Sequence, residues 1–204
     1  MAFYHERIVP YLIALAMRQR NLVEYRRRVV SAAQGRVLEI GIGSGLNIPF
    51  YGPGVGQILG VDPSSQLLAM SKRQHGARRE KLALIEARAE AIPLENCTVD
   101  TVVMTWTLCS VAHPSEVLNE IRLVLRPGGD LLFVEHGAAP DPGVARWQDR
   151  LTPLWKRISG GCHLNRDTTL LLRSAGFDIR ELRRGYMRGP RPFTFMTEGR
   201  ARPI

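Results

Sequence analysis

Two carboxylates and a glycine loop carry the first chemistry that the sequence offers. Val37, Leu38 and Ile40 surround a single acid, Glu39, and Gly41-Ile42-Gly43-Ser44-Gly45 follows at once. Apolar residues around one acid predict a short buried strand. Glycines at alternate positions predict a tight loop whose backbone approaches a ligand closely. Asp62 follows Gly41 by 21 residues, close to the spacing at which an acid meets a ribose diol in a nucleotide-binding βαβ unit. A carboxylate suits that task because it accepts two hydroxyl hydrogen bonds. The dinucleotide fingerprint G-x-G-x-x-G needs a third glycine where Leu46 stands, which argues against a nicotinamide-dependent oxidoreductase.

The other reactive groups lie later. His136 follows an apolar run, and His163 sits in a glycine-flanked loop, Gly160–Asp167. Either histidine is a candidate base. Cys97, Cys109 and Cys162 are odd in number, scattered and without C-x-x-C spacing. That argues against a disulfide framework or a zinc site and fits a reducing cytoplasm. Cys109 is expected in a pocket wall.

These groups need a scaffold, and the periodicity supplies an alternating α/β one. Strands are predicted at Arg36–Ile40, Gln57–Val61, Lys81–Glu86, Val99–Thr105 and Asp130–Glu135. Helices are predicted at Ser65–Gln74, Ser115–Leu125, Val144–Ile158 and Asp167–Ser174, and a short disturbed one at Asn47–Tyr51. Arg126-Pro127-Gly128-Gly129 is expected to stop the Ser115–Leu125 helix. Gly176–Arg184 and Arg191–Thr197 are expected to close the sheet as antiparallel strands. Trp147, Leu151 and Trp155 share a helical face that reads as core. Residues 7–33 read as one or two amphipathic helices with Ile8, Leu12, Leu15, Leu22 and Val29 on one stripe. In an open α/β sheet the residues just past the strands' carboxyl ends face the ligand crevice, so Trp106–His113 are candidates for the wall of an acceptor pocket.

The combination resembles a known family. The G-x-G-x-G loop with Glu39 two residues ahead resembles motif I of class I S-adenosylmethionine (SAM)-dependent methyltransferases. Leu125-Arg126-Pro127-Gly128-Gly129 resembles the L-x-P-G-G turn of ubiquinone-biosynthesis-type members. Thr107-Leu108-Cys109-Ser110-Val111, Glu135-His136 and Gly161-Cys162-His163-Leu164-Asn165-Arg166-Asp167 look like the thiol S-methyltransferase subgroup of animals and its bacterial relatives. One position departs: Arg88 stands where many small-molecule members carry an adenine-binding Asp, and a guanidinium has no acceptor.

The resemblance implies a single-domain Rossmann-like α/β fold. Its sheet would be seven-stranded and mostly parallel with an antiparallel last strand. Residues 1–35 would form a helical lid or membrane-surface contact, and residues 36–204 the catalytic domain. It implies SAM as cofactor and S-adenosyl-L-homocysteine (SAH) as product. The implied cofactor contacts are Glu39, Gly41, Ile42, Gly43, Ser44, Gly45, Asn47, Asp62, Pro63, Ser64, Leu67, Ala89, Glu90, Thr105 and Leu108, with Ile92 a second candidate beside Leu67 for sandwiching adenine. Trp106, Cys109 and Val111 are the implied substrate contacts, and His136 and His163 the implied catalytic groups. The reaction would be in-line methyl transfer to a small or lipophilic acceptor such as a thiol. Phosphatidylethanolamine or a quinol is the alternative acceptor, and a non-catalytic SAM-binding module the alternative function.

Charge adds one further expectation. The chain has 28 Lys and Arg against 19 Asp and Glu. Residues 1–36 and 180–204 each hold seven Arg and two Glu, so the termini carry the whole excess. Such ends fit a solvated basic rim or, for a cytoplasmic protein, peripheral contact with an anionic membrane at its inner face. No recognition motif for nucleic acid accompanies the charge. The apolar run Ile8–Met17 is about half the roughly 20 residues needed to span a bilayer. It is also short for a signal peptide, although Ala14-Leu15-Ala16 mimics a cleavage site.

Overall fold

A computed structural model describes residues 9–75 and 81–204. Ile8, expected on the amphipathic stripe, lies outside the described residues. In chain order the elements are α1 (Val9–Ala16), α2 (Arg20–Val30), β1 (Gly35–Ile40), β2 (Val55–Asp62), α3 (Ser65–His75), β3 (Leu82–Glu86) and β4 (Val99–Thr105). They continue with α4 (Pro114–Val124), β5 (Leu125–His136), α5 (Pro142–Ile158), α6 (Thr168–Ser174), β6 (Phe177–Tyr186) and β7 (Phe195–Pro203). Short 3₁₀ turns stand at Ile48–Phe50 and Arg191–Phe193.

One seven-stranded sheet runs in the order β3-β2-β1-β4-β5-β7-β6. The first five are mutually parallel, and β7 pairs antiparallel with both β5 and β6. The strand order reverses between β1 and β4, and such a switch point opens a crevice at the strands' carboxyl ends. β1 is central and covered on both faces, so its residues read as a nearly unbroken apolar run. Val37, Leu38 and Ile40 are fully buried, and Glu39 is buried among them. One core layer gathers Leu38, Ile40, Met104, Ile121 and Phe133, with α4 contributing Val117, Leu118, Ile121 and Val124. The other gathers Val37, Ile58, Val103 and Val134 under α2, whose Leu22, Val29 and Val30 face inward.

Several expectations are corrected. Leu12 and Leu15 are exposed while Leu22 and Val29 are buried, because α1 and α2 are separate helices and no common stripe runs through them. α1 instead packs Ala14 against Leu67 and Met70 of α3. The Leu125–Gly129 turn is absorbed into β5 as an irregularity, the pairing jumping from Val99–Leu125 to Thr101–Asp130. Gly128 takes φ +79° there. Residues 191–193 form a 3₁₀ turn, and β7 starts only at Phe195.

Trp147 is exposed, and Leu151 and Trp155 only half-buried. The fully buried positions of α5 are the polar Gln148 and Thr152. Gln148 Oε1 accepts the Ala139 N–H at 2.9 Å, and its Nε2 donates to the carbonyls of Gly137 at 3.1 Å and Pro192 at 3.2 Å. α5 is therefore tied down by hydrogen bonds to the chain just past His136.

Candidate functional site

The glycine loop stands at the carboxyl end of β1. Gly41, Gly43 and Gly45 all adopt positive φ, which other residues reach only with strain. A side chain at Gly41 would collide with the Thr107 side chain, whereas beside Gly43 there is only the Gly41 carbonyl at 3.9 Å. The backbone at Gly43 thus lines open space, as close approach by a ligand requires.

Glu39 organises this loop from beneath. One carboxylate oxygen accepts Asn47 Nδ2 at 2.9 Å, and the other accepts the Tyr51 hydroxyl at 2.7 Å. Burial pushes its pKa up to about 7 against the pull of those two bonds and of Arg26. Asn47 Nδ2 also reaches Thr105 Oγ1 at 3.0 Å, so one amide joins the ends of β1 and β4. Asp62 grips the loop from the side: Oδ2 accepts the Gly43 N–H at 3.0 Å and Oδ1 the Ser64 N–H at 2.8 Å. Burial raises the Asp62 pKa, and the two N–H groups pull it back. Each Asp62 oxygen keeps a second acceptor site for a hydroxyl. Ser64 Oγ in turn accepts the Leu67 N–H at 3.4 Å, starting α3.

Among the described residues, five buried polar atoms in and around the loop lack a protein partner: Ser44 Oγ, Asn47 Oδ1, Ser71 Oγ beside Gly45, Trp106 Nε1 and Arg26 Nε. Orphaned buried polar groups are costly, and their concentration here fits a polar ligand with both donors and acceptors. Arg26 went unnoticed in the sequence, where it reads as one of three arginines on a solvated face. It is buried, its guanidinium lies 4.7 Å from the centre of the Trp106 ring, and burial lowers its pKa to about 10 against the pull of Glu39. Trp106 itself takes φ +52°, a strained value of the kind concentrated at functional sites.

Beyond Trp106 the second half of the site is built by Glu135. This fully buried carboxylate accepts three consecutive backbone N–H groups, from Thr107 and Leu108 at 2.9 Å each and from Cys109 at 3.0 Å. Burial pushes its pKa well up, and the three N–H groups oppose that. Its role was also missed in the sequence; the available signal was an acid closing an apolar strand, the same signal that Glu39 gave. Arg166 completes the turn by donating to the carbonyls of Leu108 and, at 3.0 Å, Val111.

The remaining expected residues fall into two groups. Ile42, Ala89 and Leu67 are buried, Pro63 is exposed, and Glu90 pairs with Arg88 at 3.5 Å. Ile92 belongs to the core layer under α4, and its N–H donates to Glu120 at 2.8 Å. Leu108 is a core side chain with its N–H and carbonyl already engaged. Val111 packs partly buried against the same core.

Past the Glu135 turn, Cys109, His136 and Cys162 converge, their ligand atoms all within 4.8 Å of one another. Cys162 Sγ lies 3.6 Å from His136 Nδ1. The neighbouring Cys162 thiol and burial push the Cys109 pKa up, while Cys162 is held below its ordinary value, first by the Cys109 thiol. The cysteine spacing predicts no such cluster; the fold assembles it from the last residue of β5 and two separate loops. His163 lies apart from it, with Nδ1 at 3.3 Å from both the Cys109 carbonyl and an Arg166 nitrogen. Burial and Arg166 lower its pKa.

Comparison with known proteins agrees with this geometry. A methyltransferase-domain model matches residues 38–133. The human thiol S-methyltransferase TMT1B is 35% identical over 189 residues, covering 86% of this chain and 77% of that protein. A phosphatidylethanolamine N-methyltransferase of Cereibacter sphaeroides is 35% identical over 140 residues, covering 62% of this chain and 68% of that one. The crystal structure of a SAM-dependent methyltransferase from Thermotoga maritima superposes with a TM-score of 0.70 at 21% identity, covering 98% of this chain and 99% of that one. With the switch-point crevice and glycine loop at the same end of the sheet, the chain belongs to the class I SAM-dependent methyltransferases, and SAM is its cofactor.

Proposed function

We propose that this methyltransferase holds SAM over the Gly41–Gly45 loop and transfers its methyl group to a small thiol positioned beyond Trp106. The observation that carries the donor half is the set of orphaned polar atoms around an open glycine backbone, with Asp62 acceptor sites at its edge. Asp62 takes the ribose hydroxyls, Ser44 and Asn47 meet the polar methionine part, and Arg26 supplies the cation for its carboxylate. Gly41, Gly43 and Gly45 give the close backbone approach. Ile42, Pro63, Ser64, Leu67, Ala89 and Glu90 border the adenosine. Thr105 acts through Asn47, and Leu108 through the backbone turn that it shares with Cys109.

SAM supplies a sulfonium methyl group, so the protein must align the acceptor and exclude water. Trp106 separates the two halves, and Cys109, Val111, His136 and Cys162 border the acceptor side. The likeness to the thiol S-methyltransferase supports a thiol. With a solution pKa near 8.5, a thiol needs only a mild cationic setting to present its thiolate, and Arg166 lies beside the turn. An amine or quinol acceptor needs a base, for which His136 is better placed than His163, whose Nδ1 already faces Arg166.

The described part of residues 1–35 acts as a lid in this proposal. Ala14 rests on Leu67 and Met70, and the Ile13 side chain reaches the backbone at Gly160, so α1 bridges from α3 to the Gly160–Asp167 loop. Its outer face carries exposed Tyr11, Leu12 and Leu15 next to exposed Arg18 and Arg20, which supports peripheral contact with an anionic membrane. No described helix is long and apolar enough to cross a membrane.

The acceptor is tested by incubating the full chain with methyl-labelled SAM and, separately, small alkyl thiols, phosphatidylethanolamine vesicles and a quinol. Label is expected in the thiols. Label in phosphatidylethanolamine or the quinol alone would replace the thiol reading.

A further inference from the structure

We propose that Cys109, His136 and Cys162 form a binding site for a thiophilic divalent cation of the zinc class, with one coordination position left open. The three ligand atoms all lie within 4.8 Å of one another. Tetrahedral zinc, with Zn–S about 2.3 Å and Zn–N about 2.0–2.1 Å, places sulfur and nitrogen about 3.6 Å apart. Cys162 Sγ and His136 Nδ1 stand 3.6 Å apart. Both cysteines are free thiols. Two thiolates and one imidazole match the softness of zinc, and oxygen-seeking magnesium or calcium would be refused.

The surroundings fit an ion of this charge. Cys109 and Cys162 are buried, and of the three ligands only His136 reaches solvent. Two thiolates would neutralise a divalent ion and leave Glu135 and Arg166 as the charged groups beside the site. Both are fixed: Glu135 by three N–H donors and Arg166 by two carbonyls. The Cys109 N–H is one of those donors, so the carboxylate orients a ligand from behind, as outer partners of metal sites do. His163 faces Arg166 and the Cys109 carbonyl and is not a ligand.

Three protein ligands and one open position is the arrangement of catalytic rather than structural zinc. Resting on the thiol reading above, the open position takes the acceptor sulfur. The thiol loses its proton to solvent and binds as thiolate. Its sulfur then forms the new C–S bond as the donor's S–CH₃ bond breaks, releasing SAH, and the neutral thioether, a weaker ligand, departs. His136 is then a ligand, and no base is needed.

The test uses the full chain, fully reduced, its three thiols counted beforehand. Zinc is titrated against a chromophoric chelator and cobalt(II) is followed by absorbance. We expect one equivalent of zinc and a thiolate-to-cobalt charge-transfer band. Cys162→Ser or His136→Gln should weaken zinc by at least about 100-fold, the upper end of what losing even an outer partner costs. Cys97→Ser, at an exposed cysteine, should change nothing. SAH affinity reports that each variant is folded. Absence of a thiolate band in the reduced protein, or equal weakening by Cys97→Ser, would overturn the site. Adding a small thiol should shift the cobalt band, and an unshifted band with intact label transfer would overturn the open position's role. A shifted band without label transfer to any thiol would instead sink the thiol-acceptor proposal and leave the metal site standing.

Discussion

Glu135 Oε2 accepts the backbone N–H of Cys109 at 3.0 Å, so the last acid of β5 sets the position of a residue 26 places earlier in the chain. Oε1 holds the two preceding N–H groups. Glu135→Ala would leave three buried donors unpaired at about 1–3 kcal/mol each. The expected loss is about 3 kcal/mol or more, read as a lower urea midpoint. Glu135→Gln should fall between, because one amide oxygen still serves Thr107 and Leu108 while its NH₂ opposes the Cys109 N–H. An alanine variant as stable as the parent would mean that the turn is held by other contacts.

Glu39 gives a pH dependence. Its pKa in the folded protein is raised to about 7 from 4.5, so between those values the native state keeps a proton that the unfolded chain has lost. The stabilisation is complete below pH about 4.5 and declines as pH rises through about 7, by at most about 3–4 kcal/mol. Comparing urea midpoints of the parent and Glu39→Gln across that window isolates the effect: the parent's midpoint should fall relative to the variant's as pH rises, and only there. A constant difference would show that Glu39 is ionised throughout.

The basic N-terminus is divided by the fold. Arg28 pairs with Glu198 through two contacts of 3.0 and 3.1 Å, and Arg27 with Glu24 at 3.0 Å. Arg26 is buried, which leaves Arg18 and Arg20 to face outward beside α1. Sedimentation with anionic vesicles should show binding that weakens with salt. Arg18→Gln with Arg20→Gln should reduce it roughly 10-fold or more, at about 1 kcal/mol per arginine near the surface. Equal binding to neutral vesicles would remove the electrostatic role.

The sheet was legible because each strand of β1, β2 and β4 is buried on both faces and reads as an apolar run bounded by glycine or a polar turn. The predicted β4, Val99–Thr105, matches residue for residue. That Asp62 stands beside the glycine loop was legible from spacing alone. The Trp147, Leu151 and Trp155 face misled because α5 turns hydrogen-bonding Gln148 and Thr152 inward, and an apolar periodicity cannot register a polar anchor. Arg26 hid for the same reason: a charged residue among arginines reads as solvent-facing until Trp106 and Glu39 are brought to it. The Cys109–His136–Cys162 cluster has no local spacing, since its members come from the end of β5 and two loops that only the finished sheet brings together.

The central claim is that the Gly43 backbone and the Asp62 carboxylate form one donor-binding unit, and SAH calorimetry on three proteins tests it most directly. The parent should bind one equivalent. Asp62→Ala loses the ribose acceptor and the brace on the loop together, charge-assisted bonds of about 1.5–3 kcal/mol each, and should weaken SAH by at least about 100-fold. Gly43→Val strains a φ of +53° and fills the open side of the loop, and should weaken it comparably, with both variants still unfolding cooperatively. Parent-like SAH affinity in folded Asp62→Ala and Gly43→Val proteins would contradict the account.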